Sequence, residues 1–387
     1  MTRRFARVAL PALLAAAAVT SRPAEGQIAV SSNDNKVVLV NGAVTVVRNP
    51  APDTATIIDL GVFPPRVLAE INVPGSVVGP PFSVAITPDQ GLALITSSTK
   101  VDPSDPTKTV PDNRLSVVDL RAAPPAVIAT LETGRSPAGL SINRQGTLAL
   151  VANRSDGTVS VFGIQGRTVT ALGTVRVADD KSGTSHVAIT PDGKTALVTR
   201  DNDSTISLLS IDGTKVEYTK HDLSAGLRPY GLDIAADGSV AVVANIGRGG
   251  GDNDTVSVID LRLVPPRVVE TVTVGQTPEG IRLSPDGKLL AVQVMNGSNK
   301  PKDSPFYAPN GKLLLYRVEG TRLVPLAAAW VGQWSQGIAF SPDSKTILVQ
   351  NMVEKDIQVL RWDGSALLDT GQRIKTNGGP AAIRTVP

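Results

Sequence analysis

Four side chains that could do chemistry together, Ser185, Tyr230, Glu279 and Gln336, stand at matching places in successive copies of a repeat, each at the head of a short alternating stretch. Alternation of apolar and polar residues marks a half-buried β-strand, so the four lead into equivalent strands. Phe82, Ala138 and Ala381 hold the same place elsewhere and complete a ring. Within that ring Glu279 offers a general base or a hydrogen-bond acceptor for a polar ligand; its plainer reading is a solvated glutamate at a wet rim. His186, one of two histidines, follows Ser185. An imidazole titrates close to neutral pH and suits base catalysis or ligand binding, the alternative being a hydrogen-bonded ring packed between repeats. Arg135 and Arg228 each lie just before the proline that opens a strand, and a guanidinium fork can clamp a carboxylate or phosphate. Trp334 sits on the approach to Gln336. Any catalysis is expected from His186 or Glu279, and ligand binding from Phe82, Arg135, Ser185, Arg228, Tyr230, Trp334 and Gln336.

The frame that must position these residues is a repeat seen best in Thr255–Val294. Gly280–Ser284 reads as a strand ending in Ser284-Pro285-Asp286-Gly287, where proline presets the turn and glycine accepts a positive φ. Lys288–Val294, Thr255–Leu261 and Arg267–Val274 read as second, third and fourth strands. The turn recurs at Thr87, Asn143, Thr190, Ala235, Ser284 and Ser341, which makes six units. A seventh is split between the chain ends: Lys36–Asn41, Thr54–Leu60 and Arg66–Val73 supply its second to fourth strands, and Pro380–Thr385 its inner strand. Ile28–Ser31 competes for the inner place or forms the second strand itself. The expectation is an all-β, seven-bladed β-propeller of four-stranded antiparallel blades, one domain over residues 27–387, closed by its C-terminal strand so that no sheet edge stays open.

In such a meander the long segments fall on one face: Gly42–Pro52, Ser98–Asn113, Ile246–Asp254, Asn296–Asn310 and the links Pro74–Pro80 and Ala178–Thr184. Turns on the other face are short. Loops on a rigid scaffold are where sites are built, so function is expected on the long-loop face. Phe306 and Tyr307 lie in one of these loops, in a chain with few aromatics, and read either as a cover over a ligand or as loop packing. Asp201-Asn202-Asp203-Ser204 has the oxygens a calcium ion would want but not the remainder of a calcium loop, and turn chemistry is the better reading. Asp233 and Arg282, at matching places in neighbouring units, read as an ion pair between blades.

Composition removes other classes. There are no cysteines, which excludes disulfides, thiol catalysis and thiolate metal sites. A nucleophile elbow, a zinc-protease helix, a Walker loop and a dinucleotide fingerprint are all missing, so no metal or cofactor is expected. Met1–Gly26 carries Arg3, Arg4 and Arg7, a twelve-residue apolar run Val8–Val19 and small residues before a cleavage point. That is the layout of a signal peptide, too short to span a bilayer. The mature protein is therefore expected to be periplasmic or secreted, without a membrane span. Four of the 38 basic and one of the 35 acidic residues lie in that segment, so the mature chain is neutral, which disfavours nucleic acid as a partner.

Leu150-Val151-Ala152-Asn153 before Thr158-Val159-Ser160-Val161, Val243-Ala244-Asn245 before Thr255-Val256-Ser257-Val258, and Val274-Gly275 with Pro278-Glu279-Gly280 resemble the YVTN-type, lactonase-like seven-bladed propellers. The resemblance runs over nearly the whole mature chain. It implies the propeller and a family of mixed activities: phosphogluconolactonase-like hydrolases, DNA-binding periplasmic members and surface proteins. Three expectations follow in order: a propeller binding a small polar ligand or protein partner on its long-loop face; a metal-independent lactonase-like hydrolase; and a single-stranded DNA binder using Arg135, Lys181, Arg228 and Arg248.

Overall fold

The computed structural model describes residues 26–386, so the expected signal segment lies outside the described residues except for Gly26. Among the described residues there are thirty strands and no helix. Twenty-eight of the strands form seven four-stranded antiparallel sheets and the remaining two pair as a hairpin. This is the seven-bladed propeller that the repeat spacing predicts. Blade one has the order Gly379–Arg384, Ile28–Asp34, Thr54–Asp59, Arg66–Asn72, so both chain ends build it. Ile383 lies opposite Ser31 and Ala382 opposite Ser32, which closes the ring.

Two expectations need correction. Lys36–Asn41 is not the second strand of blade one; Ile28–Asp34 is, with Ala29, Val30 and Ser31 buried opposite Ile58, Ile57 and Thr56. Val37–Val40 pairs instead with Ala43–Val46 around Asn41 and Gly42, at φ 43° and 78°. Asn-Gly is the pair that a two-residue hairpin turn favours, because both central residues need positive φ. Likewise Ser98–Asn113 is not one long loop. Leu92–Val101 and Thr109–Asp119 continue to pair as far as Val101 opposite Thr109, and only the segment between them turns.

The core is made of small branched side chains on facing blades. Leu148, Leu150 and Val159 of blade three, for example, pack on Val187, Val198 and Leu209 of blade four. The recurring Asn at the end of the second strand has a structural task. Asn153 Nδ2 donates to Thr158 and Ser160 at 2.9 Å each, Asn245 to Thr255 at 3.0 Å and Ser257 at 2.9 Å, and Asn33 to Thr54 and Thr56 at 2.9 Å each. The amide thus ties the second strand to two alternating hydroxyls of the third, which is why Asn and Thr-x-Ser travel together in the repeat.

In six blades the inner strand bulges near its start, between Pro380 and Ala382, Pro137 and Leu140, Thr184 and His186, Pro229 and Leu232, Pro278 and Ile281, and Ser335 and Ile338. A bulge leaves a backbone group outside the ladder and re-aims the side chains beside it. Second-strand side chains take up the freed groups. Thr199 Oγ1 accepts from His186 N at 3.0 Å and donates to Tyr230 O at 2.8 Å in the next blade. Gln293 accepts from Gly280 N at 3.2 Å and donates to Ser335 at 2.6 Å. These bridges fix neighbouring inner strands against each other and so set the geometry of the channel between them.

Candidate functional site

The bulges turn Ser185, Tyr230, Glu279 and Gln336 toward the channel mouth on the long-loop face. Directly before the bulged strands stand Ser136, Arg228, Thr277 and Trp334, all in the left-handed region at φ 54°, 57°, 54° and 48°. The blade junction demands that conformation, which is costly for bulky residues. Blades five and seven nevertheless place an arginine and a tryptophan there.

Asp201 organises the mouth. Its carboxylate is fully buried and meets Arg154 Nη1 at 3.0 Å and Arg228 Nη2 at 2.6 Å; Ser185 Oγ donates to it at 2.6 Å. Arg154 also donates to Ser185 Oγ, and its guanidinium lies 5.5 Å from the centre of the Tyr230 ring. Gly183, at φ 65°, leaves the space that Asp201 fills. With the Gln336 amide oriented to satisfy both of its atoms, Nε2 donates to Glu279 at 3.2 Å and Oε1 accepts from Trp334 Nε1 at 3.2 Å. Two polar clusters result, one on blades three to five and one on blades six and seven, and the charges of Arg228 and Arg154 act across the gap on Glu279.

The electrostatics follow from burial. Loss of water pushes the Glu279 carboxyl up to about 7, with the Gln336 hydrogen bond and the charges of Arg228 and Arg154 opposing. Burial also raises the Tyr230 phenol, which keeps it neutral and able to donate. The mouth combines two guanidiniums that share one carboxylate, a neutral phenol and a glutamate that changes charge near neutral pH.

His186 is not part of this group. Its ring is buried, its Nδ1 accepts from Leu232 N at 3.2 Å, and burial, followed by the charge of Arg384, holds it well below its usual value. It stacks on Phe82 with ring centres 4.3 Å apart. Phe82 reaches from blade two to blade five, where a Cβ on Gly231 would lie 2.7 Å from its ring, and Arg384 sits 4.6 Å from the ring centre on another side. Phe82 therefore plugs the channel and His186 packs beneath the mouth. The structure thus places His186 as the ring packed between blades and not as an imidazole presented at the mouth.

Arg135 is exposed and is held at the rim through its backbone, its N donating to Asp156 at 2.6 Å. Phe306 packs over Gly251 of the neighbouring loop, while Lys300 donates to Gly249 O and Lys302 N to Asn41 at 3.0 Å. The Phe306–Tyr307 loop therefore joins two other loops, and its Ser298 accepts from Trp334 N at 3.1 Å. Val37 of the hairpin packs with Met295, Trp334 and Met352, so the hairpin roofs one side of the mouth. Sequence reasoning missed Arg154 and took Asp201 for turn chemistry. Both directly follow a second strand, at matching positions of blades three and four, and a second ring drawn through that position would have found them. Asp201 has its oxygens occupied by Arg154, Arg228 and Ser185, which leaves none for a calcium ion.

No protein-family model matches this chain, and no curated sequence matches it significantly. Solved structures do share its fold. A Bacteroides uniformis protein provisionally named a 6-phosphogluconolactonase superposes with a TM-score of 0.71 at 18% identity, covering 94% of this chain and 100% of that one. The periplasmic gluconolactonase of Pseudomonas aeruginosa gives 0.66 at 17% identity, covering 93% and 99%. A functionally unknown protein from Desulfotomaculum acetoxidans gives 0.68 at 14% identity, with the same 93% and 99% coverage. At these identities the likeness is one of fold.

Proposed function

We propose that this chain is an exported propeller that binds a small anionic, hydroxylated molecule at its long-loop mouth. The convergence of Arg154, Arg228, Tyr230, Glu279 and Gln336 from neighbouring blades supports this reading. Arg228 keeps donors toward solvent for a carboxylate or phosphate, its side chain being 31% exposed, while the Tyr230 phenol suits a ligand hydroxyl. Because Arg228 shares Asp201, the basic surface that a DNA strand would need is weakened. Thermal-shift titration with aldonates, sugar phosphates and lactones should raise the melting temperature of the wild type by more than that of Arg228→Gln. Equal shifts in both would reject the mouth as the site.

Glu279 favours a second reading, hydrolysis of a lactone. A carboxyl poised near 7 can take a proton from water at neutral pH, and two structures of the same fold are named as lactonases. Proton release from a lactone panel should then fall by about 10²–10⁴-fold in Glu279→Gln, the size of a general-base contribution. An unchanged rate would reject it. Export rests on Arg3, Arg4, Arg7 and the apolar run that follows. Mass spectrometry of protein expressed from the full sequence should find a new N-terminus close to Gly26; an intact Met1 would count against export.

A further inference from the structure

The other end of the channel carries a feature that the mouth does not explain. Below the Phe82 plug lies a cavity of about 260 Å³ at the short-turn face, lined by Gln27, Arg144, Asp233, Arg282 and Arg384 among apolar walls that include Ile189 and Phe340. Three arginines face it and one aspartate. Asp233 meets Arg282 Nη1 at 3.1 Å and Arg384 Nη2 at 3.5 Å, and these two arginine side chains are 11% and 16% exposed. The same carboxylate also accepts from Leu283 N at 2.8 Å.

An ion pair between blades needs only one arginine, and here two guanidiniums share a carboxylate that is already hydrogen-bonded elsewhere. Each guanidinium has five N–H donors. Beyond Asp233, Arg282 has a 3.4 Å bond to Thr385, and Arg384 makes a single long hydrogen bond and lies against Phe82. A buried cation without its full set of partners is costly, and an incoming anion removes that cost. Gln27 Oε1 is buried there without a partner, an acceptor waiting for a hydroxyl. Arg144, exposed on the blade-three turn, spans the opening to the Ala236 carbonyl of blade five.

We propose that this cavity is a second ligand site, taking a small hydroxylated molecule with a carboxylate or phosphate group. Arg282 and Arg384 hold the oxyanion, Gln27 accepts from a hydroxyl, and Arg144 closes the rim. The apolar walls exclude water and strengthen the contact. The volume is slightly below that of pockets for drug-sized ligands, which suits a molecule of about six carbons. The site shares no residue with the long-loop mouth and stands or falls separately from the function proposed there.

Titration calorimetry on the full chain, with citrate, glucose 6-phosphate and inorganic phosphate as probes, tests the proposal. Citrate or glucose 6-phosphate should bind, and more tightly than inorganic phosphate. Arg384→Gln should weaken binding by at least about tenfold, the size expected from one charge-assisted contact. Arg144→Ala, on the exposed rim, should weaken it less. Gln27→Ala should weaken the hydroxylated probes and leave inorganic phosphate unchanged; in an Arg228→Gln background, where the opposite mouth is disabled, the binding that remains should be the part that these variants remove. If Arg384→Gln does not fold, the Arg144 and Gln27 variants decide. Absence of heat with all three probes would overturn the proposal, as would binding that is lost in Arg228→Gln but kept in the Arg144 and Gln27 variants.

Discussion

Two carboxylates at the long-loop mouth differ in what each touches. Asp201 is enclosed by two guanidiniums and a hydroxyl, so its charge is matched. Glu279 has a neutral amide as its nearest partner, and burial lifts it from 4.5 to about 7. A carboxyl raised on folding binds its proton more tightly in the native state than in the unfolded one. Stability from this group is therefore present at acid pH and declines as pH rises through that window, by at most ~3 kcal/mol. Glu279→Gln removes the dependence. Urea unfolding between about pH 5 and 8 should show the variant gaining on the wild type as pH rises; parallel profiles would mean that the carboxyl is not raised. Glu279 was legible because it occupies a repeat position that its neighbours fill differently. Its hydrogen-bond partner, Gln336, which opposes the effect of burial, lies 57 residues further along, and no local pattern announces the contact.

The repeated amide clamp governs the blade as an element. Asn245 joins the end of Val240–Asn245 to both hydroxyls at the start of the third strand, on the inner part of the sheet where water does not compete. Asn245→Ala leaves Thr255 and Ser257 without that donor and should lower stability by about 1–3 kcal/mol, read as a lower urea midpoint with an unchanged slope. A midpoint equal to wild type would make the Asn a bystander. The elements also show where pattern reading failed. Val37–Val40 has the apolar run of a strand, but its Asn-Gly turn folds it onto Ala43–Val46, and the ladder place goes to Ile28–Asp34, which pairs with Thr54–Asp59 over six residues from Ile28 to Asn33. Pairing competition between two adjacent strands is decided by the partner, which periodicity does not describe.

At the scale of the molecule, closure decides whether the ring has an edge. Gly379–Arg384 covers Ile28–Asp34 and buries Ala381, Ala382 and Ile383. Deleting residues 379–387 would expose that strand as a template for another chain. Size-exclusion chromatography should then show association or aggregation in place of the full-length elution. A monomeric truncation with wild-type melting would show that the ring does not depend on this strand. Closure also creates the two ends of the channel, since Phe82, Gly231 and Arg384 come from blades two, five and one and meet only once the circle is complete.

The sequence by itself determined the number of blades, the split blade and the face that carries the long segments, because each follows from a local period of apolar residues and turn chemistry repeated along the chain. It also identified the ring holding Tyr230, Glu279 and Gln336. Only the tertiary structure decided that Arg154 and Asp201 complete this ring, that His186 packs on Phe82 under the mouth, and that Arg282 gains Arg384 as a second cation around Asp233. The physical reason is that hydrogen bonds and charge pairing act between neighbouring blades, across separations of tens to hundreds of residues, while periodicity reports only which side of its own strand a residue occupies.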